Sequence, residues 1–352
     1  MRALIIGDIH FSQYSSIIRK RGEFYSERLE NLLWSINWAE KQAEENKVDK
    51  IIYLGDFFDR SDLNAEELTA FRDIRWAKDI FHIFLVGNHE LGTRNLQYSS
   101  IHFIESLGNN FTVIDKPTQE SGFGYRFLYL PYTFESERKS ISDYWKDTAP
   151  TGVFETQEVK TPYIFSHNDL KGVNYGLFES KEGFDIEDIK NNCSLFVNGH
   201  IHNTGWIEKE RILNLGNLTG QNFNEDATKY PHQIMLLDTD RCRWAFIENP
   251  YAFNFYKLEI KDVQNLPKLK SNAVMTIKCP ESKVAELREK LSSMEDVKEF
   301  RVISVTEGAK EEAEVHIELN SVDHLKQFQE YILNQLGNSE AVIKELQEVV
   351  AA

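Results

Sequence analysis

Cysteine is scarce in this chain. Cys193, Cys242 and Cys279 stand far apart, are odd in number and form no CxxC pair. That excludes a disulfide framework and a structural zinc site, and leaves buried thiols in a reducing compartment as the expectation. Long apolar runs are missing as well; none approaches the ~20 residues that a membrane-spanning helix needs. The opening MRALIIGD enters a strand-like run directly, without the apolar core and small-residue cleavage site of a signal peptide, so a cytoplasmic protein with no membrane contact is expected. Cations are in deficit: 40 Lys and Arg face 56 Asp and Glu, a net charge of −16. Such a chain repels nucleic acid in general. Contact with DNA would have to come from bound metal or from a local basic patch such as Arg19-Lys20-Arg21. There is no low-complexity tract and no internal repeat.

What is present is enough apolar residue, 41% of 352, for a large α/β domain and a smaller companion. Residues 2–7, 50–55 and 82–87 read as buried strands, each ending in Gly. Between them, 24–45 carries Leu29, Leu32, Leu33 and Ile36 at helical spacing. Residues 64–80 open with Asn64 and Glu67 at capping-box spacing. Alternating strand and helix predicts parallel strands with crossover helices. Further short strands are expected at 124–130, 162–166, 194–198, 212–216, 233–238 and 243–247. With few helices among the later ones, they predict a second sheet packed on the first. A linker is expected at 261–272. After it, strands at 273–278, 297–305 and 313–319 and helices at 281–293 and 321–336 form a small α+β unit, and a last helix spans 339–350.

Five polar clusters punctuate the chain: GDIH at 7–10, GDFFDR at 55–60, GNHE at 87–90, SHND at 166–169 and NGHIH at 198–202. Four directly follow an apolar run. Carboxyl ends of parallel strands share one edge of a sheet, so residues distant in sequence can converge there. The convergent set would be Asp8, His10, Asp56, Asn88, His89, His167, His200 and His202, a mixture of imidazole, carboxylate and amide oxygen without thiolate. Such ligands suit Mn²⁺, Fe²⁺ or Zn²⁺ better than Ca²⁺. Eight groups exceed the needs of one ion and fit two ions sharing a carboxylate. Any one cluster alone is more often an ordinary cap or turn. Five in order at strand ends, holding five of the ten histidines, are hard to reach by accident.

The series DxH, GDxxD, GNHE, H and GHxH resembles the calcineurin-like metallophosphoesterase superfamily over roughly residues 1–250. The resemblance implies a two-sheet β-sandwich flanked by helices. It implies Asp8, His10 and His202 on one metal, Asn88, His167 and His200 on a second, and Asp56 between them. His89 would be the catalytic histidine that protonates the leaving oxygen. Protein phosphatases of the superfamily share GDxxDR and GNHE. They usually carry Gly where Phe11 stands, lack the GHxH pair, and end where this chain continues. The layout is more similar to SbcD-type nuclease subunits of DNA double-strand-break processing, bacterial or phage. That resemblance implies a nuclease domain at 1–260, an α+β capping domain at 270–337 and a partner-binding helix at 338–352. It also implies two Mn²⁺ ions (with Fe²⁺, Zn²⁺ or Mg²⁺ as alternatives), DNA as substrate, a coiled-coil SbcC-like ATPase partner, and a homodimer formed through residues such as 96–107. A nucleotide or protein phosphoesterase using the same site is the alternative. The sequence departs from archaeal and eukaryotic members of that group at Asp59, where many have His, and from relatives at 215–223. Two further expectations concern GDFFDR: Asp59 hydrogen-bonds His89, and Arg60 contacts phosphate or else forms a surface salt bridge.

Overall fold

Alternate side chains of the first strand serve two different cores. Leu4 and Ile6 face a cluster with Leu29, Leu32 and Ile36, whereas Ala3 and Ile5 face one with Phe127, Phe165 and Val197. A strand buried on both faces reads as an unbroken apolar run, which is why RALIIG shows no alternation. The computed structural model describes residues 1–122, 124–149, 161–173 and 179–305. In chain order the strands are β1 (Arg2–Ile6), β2 (Lys50–Tyr53), β3 (Phe81–Leu85), β4 (Phe111–Ile114), β5 (Thr118–Ser121), β6 (Tyr125–Leu130), β7 (Thr161–Ser166), β8 (Leu195–Asn198), β9 (Gly205–Glu208), β10 (Ile212–Asn214), β11 (Gln233–Asp238), β12 (Arg243–Glu248), β13 (Asn254–Glu259), β14 (Ala273–Pro280) and β15 (Val297–Val305). The helices are α1 (Glu27–Glu45), α2 (Ala65–Arg72), α3 (Ile141–Asp147), α4 (Ile186–Asn192) and α5 (Val284–Ser292).

Two six-stranded sheets result, ordered β12-β11-β1-β2-β3-β4 and β5-β6-β7-β8-β10-β9. Strands β1 to β4 run parallel, as do β6, β7, β8 and β10. The sheets pack face to face with α1 and α2 against the outer face of the first, the α/β sandwich expected. One placement differs. The sequence pattern puts 233–238 and 243–247 in the second sheet, but β11 pairs antiparallel with β1, and β12 with β11, in the first. Without them β1 would present an open backbone edge next to the site.

Ser26 caps α1, its side chain accepting the Leu29 N–H, and the capping box at Asn64 and Glu67 forms as expected. Helix α2 stops at Arg72 instead of running to 80. The reason lies on α1. The Asn37 side chain accepts the Arg75 N–H at 2.7 Å, and the Glu40 carboxylate accepts the Ala77 N–H at 2.8 Å, so those groups are satisfied outside a helix.

Among the described residues the small third sheet is parallel, ordered β13-β14-β15. It begins at Asn254, upstream of the expected boundary at 270, because 254–259 pairs with β14 residue for residue. Helix α5 covers it through Leu287 and Leu291. The strand expected at 313–319 and the helices at 321–336 and 339–350 lie outside the described residues. Among the described residues no helix is long and apolar enough to cross a membrane.

Candidate metal centre

The loops leaving β1, β2, β3, β7 and β8 meet at one edge of the sandwich, and each carries one of the five clusters. Close approach governs the local backbone. Gly55 has φ +108°, and a Cβ there would lie 2.4 Å from His167 Nδ1. A Cβ on Gly87 would lie 2.1 Å from Asp56 Oδ1. Three non-glycine site residues also take positive φ: His10 at 50°, Asp56 at 47° and His200 at 69°. That left-handed region costs an L-residue energy, and the surrounding contacts hold the three there.

Three groups of candidate ligands form among the described residues. One of them, His10, Asp59 and His89, shares His10 with another and is the more exposed. In the other two, Asp8, His10 and His202 offer donor atoms within 4.8 Å of one another, and Asp56, His167 and His200 do the same. Asn88 joins the second group, its Oδ1 lying 3.1 Å from His167 Nε2 and 3.0 Å from His200 Nδ1. Asp56 stands between the groups. Its Oδ2 is 3.1 Å from His167 Nε2 and 3.8 Å from His10 Nε2, while Oδ1 accepts the His89 N–H at 2.9 Å.

Each of three imidazoles is oriented from behind. His167 donates Nδ1–H to the Leu54 carbonyl at 2.8 Å, which leaves Nε2 for a cation. His10 Nδ1 is 3.0 Å from the Asp59 carboxylate, and His202 Nδ1 is 3.1 Å from Glu225 Oε1. Both bonds fix the tautomer that turns Nε2 inward. Asp8 Oδ2 and His10 Nε2 are buried and have no hydrogen-bond partner. Orphaned buried acceptors of this kind cost free energy, and a cation between them satisfies both. The donor set therefore fits two divalent ions.

Electrostatics agree with a site built for positive charge. Burial alone would push the Asp56 carboxyl up, yet the adjoining imidazoles of His167, His10 and His89 hold it far below the ordinary range. Burial disfavours charge on His167, but Asp56 and Asp8 outweigh it and raise the group to about 9. Burial, with the Asp56 charge added, raises Glu90 to about 8. Glu90 sits behind the site and accepts the Phe58 and Gly87 N–H groups at 3.1 and 2.8 Å.

A group raised above its ordinary 6.5, as His167 is, stabilises the metal-free fold below that pH, and the contribution fades as pH rises through about 9. At pH 7 His167 is therefore expected to carry a proton that a bound cation must displace, and burial together with the Asp56 charge favours one on Glu90. Metal uptake at pH 7 is expected to release between one and two protons, with affinity rising towards pH 9. Titration calorimetry in buffers of different ionisation enthalpy reads this directly; uptake without proton release would contradict it.

The pairing expected at Asp59 is made by a different atom, and of the two arrangements expected for Arg60 the salt bridge is found. The Asp59 carboxylate hydrogen-bonds His10 at 3.0 Å and lies at ion-pair distance, 3.7 Å, from His89 Nδ1. It is the Asp59 backbone carbonyl that accepts from His89 Nδ1, at 3.1 Å. The side chain follows the buried imidazole because burial strengthens that bond, whereas His89 is 42% exposed. Arg60 donates to both oxygens of buried Glu67, at 3.0 and 2.9 Å, and lies over the Tyr14 ring, so the salt bridge is the arrangement found.

Residues outside the ligand set complete the site. Glu225 is fully buried and also accepts the Gln221 N–H at 2.9 Å. Asp169 Oδ1 is 3.3 Å from His200 Nε2. Arg28, buried on α1, reaches the His10 and Gly220 carbonyls, both at 3.5 Å. Only Asp169 had a sequence signal, its place in SHND. Glu225→Gln removes the carboxylate behind His202 and is expected to weaken metal binding by about 10–100-fold. Metal analysis after dialysis against graded chelator checks it.

The model of the calcineurin-like phosphoesterase family matches residues 1–204, and the chain belongs to that family. It is thus a metal-dependent phosphoester hydrolase by family, with a dinuclear divalent site. No curated protein sequence matches the chain. Among solved structures it is similar to the protein TT1561 of Thermus thermophilus, at 11% identity, over 70% of this chain and 98% of that one, with a TM-score of 0.39. It is also similar to a dimetal phosphatase from Danio rerio, at 16% identity, over 71% and 99% of the two chains, with a TM-score of 0.38.

Proposed function

We propose that this chain is a phosphodiesterase acting on DNA, a nuclease of SbcD type that works with a long coiled-coil ATPase. The observation that carries the reading is the parallel sheet β13–β15, which the chain adds after a complete sandwich. A phosphatase acting on small esters has no need of it, whereas an extended substrate needs surface beyond the metals. The GHxH pair supports the same branch, since His200 and His202 fall in the two separate ligand groups.

Asp8, His10 and His202 would hold one ion, Asn88, His167 and His200 the other, and Asp56 would be shared. Two divalent ions, when bound, polarise the phosphoryl oxygens and make water nucleophilic at neutral pH, with Mn²⁺ suited to this donor set. His89 supplies the proton. Its Nδ1–H is donated to the Asp59 carbonyl, so the proton given to the leaving oxygen comes from Nε2 of the imidazolium. Its exposed ring is open to substrate.

The homodimer is proposed through the 3-10 helix Ser100–Leu107, which buries Ile101 and Ile104 but exposes Phe103 and Leu107. The segment proposed to bind the ATPase, 338–352, lies outside the described residues.

A second reading, a nucleotide or protein phosphoesterase, draws on the net charge of −16, which opposes a polyanionic substrate. One panel separates the two. Mn²⁺-loaded protein is expected to degrade DNA ends or single strands and to leave nucleotides and phosphoprotein nearly untouched. Turnover of the small esters with inert DNA, alone and with the ATPase, would establish the second reading.

A further inference from the structure

Helix α1 leaves the catalytic edge after β1 and returns the chain to the start of parallel β2, so its C-terminal half lies towards the opposite end of the sheet. A groove of 930 Å³ opens there, lined by Trp34, Trp38 and Lys41 of α1, by Arg75 and Lys78 after α2, and by Tyr251. Trp34, Trp38 and Lys41 are spaced i, i+4 and i+7, which puts them on one stripe of the helix. Trp34 is 50% exposed and Tyr251 43%, large apolar faces for a position next to solvent.

The walls are held in place while the rings stay open. The Tyr251 carbonyl accepts from Asn31 at 2.6 Å and Asn272 at 2.9 Å, and the loop after α2 is pinned through Arg75 and Ala77. Three cations line the groove against one anion, Glu44, in a protein whose net charge is strongly negative. Lys41 does pair with Glu45 at 3.4 Å, but both partners are well exposed and such a pair is weak.

We infer that this groove binds single-stranded nucleic acid, with bases stacked on Trp34 and Tyr251 and phosphates beside Lys41, Arg75 and Lys78. The pairing of open aromatic faces with a local excess of cations is what selects the occupant. An acidic peptide would use the cations and leave the rings idle. A single strand uses both, without sequence preference. Duplex is excluded because its bases are already stacked on each other. The groove holds the strand away from the metals and needs none of them. It therefore goes beyond the nuclease reading and stands apart from it.

The test uses full-length His89→Ala protein in chelator, so that no hydrolysis occurs, and a fluorescent oligo-dT of about 15 nucleotides followed by anisotropy. Trp34→Ala is expected to weaken binding about tenfold. The double substitution Lys41→Gln, Arg75→Gln is expected to lower the slope of log K against log salt by about 1.4, that is, about 0.7 for each lost phosphate contact. Unchanged binding in both variants overturns the inference. So does equal competition by poly-glutamate, which would make the groove an acidic-peptide site. A Trp34→Ala protein that falls from dimer to monomer in sedimentation overturns it too, since a second copy would then be the occupant. All three positions lie at the surface of the groove, so circular dichroism of the variants should match the parent.

Discussion

His89→Ala is expected to lower turnover of a DNA substrate by about 10²–10⁴-fold with metal content unchanged. The split between chemistry and binding follows from geometry. His89 takes no part in the ligand groups of the two proposed ions; it lies beside them with His10 and Asp59, and its Nδ1 bonds the Asp59 carbonyl. Removing it takes away the proposed proton donor and leaves the metal-ligand atoms where they are. Substrates whose leaving group needs no proton, such as p-nitrophenyl phosphodiesters, should lose far less. Metal analysis and rates on both substrates decide it; equal losses on the two would deny His89 the acid role.

Asp56→Asn is expected to weaken metal binding by more than the roughly 100-fold limit typical of an outer-shell change, and to abolish the rise in melting temperature that metal produces. The amide keeps nearly the same shape. Oδ1 can still accept the His89 N–H, so the loop should hold. What disappears is the negative charge facing His167 and His10, and an N–H₂ group can take the place of Oδ2, the oxygen proposed to be shared. Two bound ions retained at low micromolar free Mn²⁺ would show that Asp56 is not shared. Glu90 gives an independent readout, because loss of the Asp56 charge should let it titrate below about 8.

Much of this site is legible in the sequence because its ligands follow strands. An apolar run, a glycine and a polar residue at the carboxyl end make one local pattern, and parallel strands bring five such patterns together. The residues behind the ligands leave no such trace. Glu225 reaches His202 from a loop 23 positions away, and Arg28 reaches His10 from a helix whose spacing announces only a core face. Asp59 shows the same limit within one motif. The motif GDFFDR suggested a partnership with His89, whereas the carboxylate's hydrogen bond to the buried His10 ring has no mark in the sequence. The fold divides similarly. Periodicity reveals α1 and the parallel strands, whereas the return of β11 to the free edge of β1 is a long-range pairing with no local mark.

The three left-handed residues at the site carry a consequence for the protein's life in the cell. His10, Asp56 and His200 each hold a conformation that costs about 1–3 kcal/mol, within a buried cluster of like-seeking acceptors. Metal at a thousand times its Kd returns about 4 kcal/mol per site. The unloaded chain is thus the form that opens more often, and opening is what exposes a chain to proteases. Divalent-metal supply is then expected to bear on how long each copy survives as well as on how fast it works.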